Sequence, residues 1–225
     1  MKIDIWSDVI CPFCYIGKAN LEDALAQSGE AAEITHHAFR LMPGEPVVPV
    51  DQMLARKYGL TPAQVKDNQA HVEATAAQSG LEFHLSGTYG GDTTDAHRLI
   101  ALAAKDGLQG EMVDRLYHAY FTETLNIFDR EVLKMLGAES GLKGTDIASA
   151  FASADIDAQI LGDQKQAQVM GVRGVPFVVI NGKYAVSGAQ PVQAFVQALQ
   201  KAAAEAVKAE PATREGQTCG IDGCD

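Results

Sequence analysis

Four cysteines stand in this chain of 225 residues, and they fall into two close pairs, Cys11/Cys14 and Cys219/Cys224. Thiols two residues apart suit dithiol–disulfide exchange: one attacks a substrate disulfide, and the second displaces the substrate from the mixed disulfide. The first pair lies in Ser7-Asp8-Val9-Ile10-Cys11-Pro12-Phe13-Cys14-Tyr15-Ile16-Gly17, after an apolar strand-like run and where Pro12 can open a helix. A helix starting at Pro12 puts Cys11 at its N-cap, where unpaired N–H groups and the helix dipole favour a thiolate. Cys14 shares a helix face with Leu21 and Leu25, which predicts a sheltered resolving thiol behind a more exposed attacking one. A lone Cys-x-x-Cys also fits half a zinc site or a structural disulfide; a strand before it and a helix after it favour redox chemistry.

These thiols need elements to hold them. Residues 2–6 alternate, with Ile3 and Ile5 against Lys2 and Asp4, and read as a strand; a helix follows to Gln27 and stops near Gly29. Residues 33–39 read as a second strand, so the opening is a βαβ unit with a right-handed crossover and a parallel pair. After Met42-Pro43-Gly44-Glu45-Pro46 the periodicity turns helical to about residue 170, with Thr61-Pro62-Ala63-Gln64 as a capping box and Thr93 or Thr94 as a later cap. Glu82 to Leu85 reads as a short extended piece. Strand signals return at Phe177-Val178-Val179-Ile180, with an Asn181-Gly182 hairpin turn and a final helix opened by Pro191. The expected fold class is α/β: a thioredoxin-like fold formed by residues 1–45 and 171–208, with an all-α helical domain, 46–170, inserted, and a tail, 209–225.

Composition narrows the partners. A net charge of -11 with no basic block argues against nucleic acid and anionic membrane surfaces. No run reaches the roughly 20 apolar residues of a membrane span, and no secretory signal is visible, which leads to an expectation of a cytoplasmic protein.

Gly174-Val175-Pro176-Phe177 precedes the third strand. Spacing alone leaves the Val175–Pro176 bond trans, since about one X–Pro bond in twenty is cis in folded proteins. With this segment, the opening Cys-Pro-Phe-Cys stretch and Ala96-His97-Arg98-Leu99, the chain resembles the DsbA family of thiol–disulfide oxidoreductases, and within it the cytoplasmic FrnE-like branch. The resemblance implies a thioredoxin fold with helical insertion, Cys11 as nucleophile, Cys14 as resolving thiol, and a cis Val175–Pro176 bond against which substrate segments lie. Pro12, Phe13, Val175 and His97 are then the expected substrate-binding residues. Phe13 stands where strongly oxidising relatives often carry His, and Asp92 stands where the family has Asn. Both imply a less oxidising protein, Asp92 by placing negative charge near the thiolate.

Cys219 and Cys224 form an expected auxiliary redox pair, a pattern that the resemblance supports. A flexible linker of about 11 residues spans roughly 20 Å, enough to bring the tail to Cys11. The alternatives are a passive tail disulfide, free thiols, or a four-cysteine metal site assembled from both pairs. Asp8 reads as a cap or turn residue, and no buried acid is assigned as proton acceptor for Cys14. His36 and His37, adjacent on a strand, should point to opposite faces, one buried and one exposed. The function expected is exchange with protein or small-molecule disulfides and thiols, without organic cofactor or metal. The alternatives are a kappa-class glutathione transferase or 2-hydroxychromene-2-carboxylate isomerase-like enzyme, which share the inserted-helix fold, and a non-catalytic, chaperone-like peptide binder.

Overall fold

The structure is a computed structural model and describes residues 1–209, 219–220 and 223–224. Strand β1 (Lys2–Ser7) leads through helix α1 (Pro12–Ser28) to β2 (Glu33–Ala38), which runs parallel to β1 with Ile3 opposite Ile34 and Trp6 opposite His37. Strands β5 (Phe177–Ile180) and β6 (Tyr184–Ser187) complete a four-stranded sheet in the order β2-β1-β5-β6; β5 runs antiparallel to β1. Asn181 and Gly182 both take positive φ at the β5–β6 turn, as a two-residue hairpin of this type requires. Helix α9 (Val192–Ala209) returns against α1. Ile3, Ile5, Leu21, Ala24, Val178, Ile180, Phe195 and Leu199 meet there as one core.

Between β2 and β5 lie β3 (Val48–Pro49), α2 (Val50–Tyr58), α3 (Pro62–Gln78), β4 (Tyr89–Gly90) and α4 (Thr94–Lys105). These are followed by α5 (Gln109–Phe121), α6 (Arg130–Glu139), α7 (Gly144–Ala150) and α8 (Ala154–Val169). The capping box at Thr61 and Gln64 forms with both reciprocal bonds. Glu82 to Leu85 is not a strand; the short ladder here pairs β3 with β4 instead. Thr93 stands at the N-cap of α4 without a capping bond from its side chain, and the Asp92 carboxylate accepts from the Thr94 N–H instead. The second core cluster belongs to these helices, and Val9, Cys11, Cys14 and Ile16 join it. Cys14 and Leu21 do share a face of α1, but the helix is long enough that its first turns pack on the helical block and its later turns on the sheet and α9.

The free edge of β2 is covered by side chains that stand in for a further strand. Gln109 donates to the His36 carbonyl and accepts from its N–H, both at 2.9 Å, and Asp163 accepts from the Ala38 N–H at 3.0 Å. An open edge would leave these groups available for pairing with another chain. His36 is buried with its pKa pushed down to about 3, by burial first and then by Lys18 and His37. His37 is not the exposed partner that alternation alone suggests. Its ring stacks on Trp6 at 4.4 Å and lies 2.9 Å from both Asp4 Oδ1 and Asp163 Oδ1. Burial opposes its protonation, but the two carboxylates outweigh that and raise its pKa above the ordinary 6.5. A raised pKa contributes stability that is fully present below the unfolded value and is lost as pH rises through the folded one. As pH rises above about 6.5, therefore, thermal unfolding should show the wild type losing stability relative to His37→Gln. His36 is present in both proteins, so its own titration cancels in the comparison.

Candidate functional site

The β1–α1 turn delivers the thiols. Cys11 is the N-cap of α1 with extended backbone (φ -88, ψ 111), and Pro12 occupies the first helical turn. The Cys11 N–H donates to the Asp8 carbonyl at 3.1 Å, and the Cys14 N–H donates to the Cys11 carbonyl at 3.0 Å. Both thiols are free. Burial first and the neighbouring Cys11 thiol second hold the Cys14 pKa well above the usual thiol value, against the Asp8 backbone N–H, which lowers it. Cys11 is more enclosed than the attacking thiol expected from the sequence, at 5% exposure against 2% for Cys14. The difference comes from across the cleft: the Val175–Pro176 peptide bond is cis, and the Cys11 thiol donates to the Val175 carbonyl at 3.7 Å.

The approach of that loop is set by Gly17, one turn along α1 from Cys14. A Cβ on Gly17 would stand 2.9 Å from Pro176 Cγ, so only glycine lets the helix and the proline ring meet at this distance. The Gly188 N–H donates to the Pro176 carbonyl at 2.8 Å and holds the loop from its other side.

Phe13 is 45% exposed beside Cys11. It borders a groove of about 360 Å³ with Ile16, Asn20, Thr75, Ala189 and Pro191. On the opposite flank, Pro12 and Ile10 border an apolar pocket of about 110 Å³ with Val50, Met53, Val72 and Phe121. Behind α1, Tyr15 stacks on Tyr117 at 4.8 Å and on Phe83 at 5.6 Å. Burial holds the Tyr117 phenol well above its ordinary pKa, with the Cys14 charge adding to the effect.

Two sequence-based placements are corrected here. His97 does not line the cleft: it is 4% exposed, with Nε2 facing Asp8 Oδ1 at 3.4 Å beneath the turn. Asp92 is occupied away from the thiols, accepting from the Gly44 N–H at 2.5 Å and the Thr94 N–H at 2.8 Å, with Arg40 at 3.7 Å. Burial opposes its ionisation, but these donors outweigh that and lower its pKa. Asp8 is the residue that sequence reasoning missed. It is 0% exposed, and its Oδ2 accepts from the Leu41 N–H at 2.7 Å. The signal for it was weak, because an Asp three residues before a helix N-cap usually turns the chain at the surface. In the tail, strand β7 (Cys219–Gly220) pairs antiparallel with β8 (Gly223–Cys224), with Cys219 opposite Cys224 along the backbone. Of the expected linker from Lys208, Lys208 and Ala209 belong to α9, and residues 210–218 lie outside the described residues. Among the described residues no helix is long and apolar enough to cross a membrane.

A profile of the DSBA-like thioredoxin domain matches residues 2–200. The chain belongs to the DSBA-like thioredoxin family. The probable DsbA oxidoreductase SCO1869 from Streptomyces coelicolor is 35% identical and superimposes with a TM-score of 0.86, covering 100% of this chain and 98% of that one. The cytosolic disulfide reductase DsbM from Pseudomonas aeruginosa, crystallised with GSH, shares the fold at 18% identity and a TM-score of 0.63, over 92% of this chain and 98% of that one. A 2-hydroxychromene-2-carboxylate isomerase shares it at 14% identity and 0.67, over the same shares of each chain. The uncharacterized protein YwbO of Bacillus subtilis is 27% identical over 203 residues, 88% of this chain and 96% of its own length.

In this DsbA-like chain the glycine–proline contact gives a direct test. Gly17→Ala should displace the Pro176 ring and slow the reaction of Cys11 with added disulfides by roughly tenfold or more, as misplacement of reacting groups does. Gly110→Ala, where a Cβ meets nothing within 4 Å, should leave that rate unchanged; stopped-flow thiol exchange measures both.

Proposed function

We propose that this protein is a thiol–disulfide oxidoreductase that exchanges disulfides with protein or small-molecule substrates through Cys11-Pro12-Phe13-Cys14. The observation that carries this reading is the position of the Cys11 sulfur, at the N-cap of α1 and 3.7 Å from the Val175 carbonyl. A substrate disulfide entering between Pro12, Phe13 and the Val175–Pro176 loop brings a sulfur to Cys11. The Cys11 thiolate attacks that sulfur, the substrate S–S bond breaks, and the first substrate thiolate leaves and is protonated. Cys14 then loses its proton and attacks the Cys11 sulfur, which expels the second substrate thiolate and closes the Cys11–Cys14 disulfide. The substrate gains two electrons and the cysteine pair loses them; a dithiol from solution resets the pair, and the same steps reversed oxidise a substrate dithiol.

The groove beside Phe13 and the fold shared with a reductase crystallised with GSH support glutathione-sized thiols among the substrates. A cytoplasmic location fits this reading, because a reducing poise keeps an exchanging pair in the dithiol form. Cys219 and Cys224, opposite each other in the tail hairpin, are assigned as an auxiliary pair that passes electrons to or from the active site.

Insulin reduction driven by dithiothreitol tests the reading. Wild type should accelerate turbidity, Cys11→Ser should fall to background, and Cys14→Ala should stall as a trapped mixed disulfide visible by mass spectrometry. Activity toward glutathione conjugates that survives Cys14→Ala would instead favour the isomerase or transferase chemistry. Equal turnover of Cys219→Ser/Cys224→Ser and wild type over a range of reductants would remove the auxiliary pair from the cycle.

A further inference from the structure

Two long polar side chains are buried on α1, Lys18 and Asn20. Lys18 is accounted for by its ion pairs with Glu22 and with Asp114 of α5. Asn20, at 8% exposure, faces the other way, toward the loop between β6 and α9. Asparagine is mostly found in solvent, so a buried one is informative. Its Nδ2 donates to the Gln190 carbonyl at 3.0 Å. The Gln190 N–H donates to the Gly188 carbonyl at 2.9 Å, and the Gly188 N–H donates to the Pro176 carbonyl at 2.8 Å. Successive hydrogen bonds thus tie α1 to the residue after Val175. Gly17 lies one turn before Asn20, and a Cβ there would meet Pro176 Cγ at 2.9 Å and Ala189 Cα at 3.5 Å. Gly17 limits how near the loop comes, and Asn20 draws it in. At the other end of this run the Val175 N–H has no acceptor among the described residues, and the Val175 carbonyl accepts from the Cys11 thiol alone.

We propose that Asn20 is a positioning residue that makes the site selective for disulfides carried on a peptide backbone. This rests on the exchange reading above. An extended peptide beside Val175 offers its carbonyl to the Val175 N–H. It offers its N–H to the Val175 carbonyl, which the Cys11 thiol frees on losing its proton. Hydrogen bonds weaken steeply when misaligned, so both need the loop at one height above α1. The run from Asn20 through Gln190 and Gly188 sets that height. The groove of about 360 Å³ that Asn20 borders with Phe13 and Pro191 passes the same loop and gives the peptide its path. A small disulfide without peptide groups makes neither bond and needs only the Cys11 sulfur. Without the Asn20 donor the Pro176 ring still rests on Gly17, so the wall beside Cys11 remains while the backbone partner of the peptide shifts.

The test uses the full chain with Cys219→Ser and Cys224→Ser, and two probes that release the same thiol. One is a short linear peptide whose single cysteine forms a mixed disulfide with 2-mercaptoethanol; the other is 2-hydroxyethyl disulfide, which has no peptide group. Acid quenching and mass spectrometry give the rate at which Cys11 reacts with each. Asn20→Asp keeps the size and puts an acceptor against the Gln190 carbonyl. It should slow the peptide reaction about tenfold and leave the small disulfide within about twofold of the parent rate. Asn20→Leu keeps the volume without charge; it should show the same split and stands in if Asn20→Asp fails to fold. Gln193→Ala removes a different side-chain bond between α9 and α1, the one to Gln27 at 3.4 Å, and should match the parent on both probes. Parent rates on the peptide in both Asn20 variants, or an equal loss on the two probes, would overturn the proposal. A parent protein whose Cys11 reacts with neither probe would overturn the exchange reading itself, which is a different failure.

Discussion

The site depends on one close approach between segments 164 positions apart, where the N-terminus of α1 meets the Val175–Pro176 loop. Gly17 sets how near they come, because its missing Cβ is the space that the Pro176 ring fills. The Cys11 sulfur is thereby enclosed by the loop carbonyl as well as by its own helix end. A thiol on a helix N-terminus alone would stand in solvent; here the fold gives it a wall and leaves Pro12 and Phe13 as the approach.

The sheet that carries both segments is small, four strands, and has one edge that the helical block must cover. Gln109 and Asp163 do so with side chains that mimic a strand's donors and acceptors. Asp163 also holds His37, which is held in turn by Asp4 and stacked on Trp6. The helices are therefore fixed to the sheet by polar bonds at its edge and by the packing of α1, which joins both cores. The early turns of α1 belong to the helical block and the later turns to the sheet and α9, so the thiols sit where the two cores adjoin.

Beneath the thiols the interior is polar in a selective way. Ser7, Asp8, Thr93 and His97 are buried, yet no Lys or Arg pairs with Asp8 among the described residues. Asp8 Oδ1, Thr93 Oγ1 and His97 Nε2 have no hydrogen-bond partner there, and burying polar groups without full satisfaction costs stability. The aromatic stack of Tyr15, Tyr117, Phe83 and Phe121 packs behind α1 in the same apolar cluster as the two thiols.

The sequence by itself determined the β-α-β opening, the closing hairpin at Asn181-Gly182 with its helix, the N-cap placement of Cys11 and the burial of Cys14, but not the short β3–β4 ladder. Each follows from local spacing, where the next few residues carry the physical cause. Resemblance, not spacing, supplied the cis bond at Pro176. Only the tertiary structure decided what lies around the thiols. His97 and Asp8 are far apart in the chain, and no local pattern says that α4 will pack its first turn under the β1–α1 turn. Asp92 read as a charge near the site until the loop at Gly44 and Arg40 was seen to claim it. Strand alternation left one of His36 and His37 exposed, because it knows one sheet face from the other but not which helix will cover the edge. Side chains whose roles come from neighbours distant in sequence are fixed by packing, and packing is not written in any one stretch of residues.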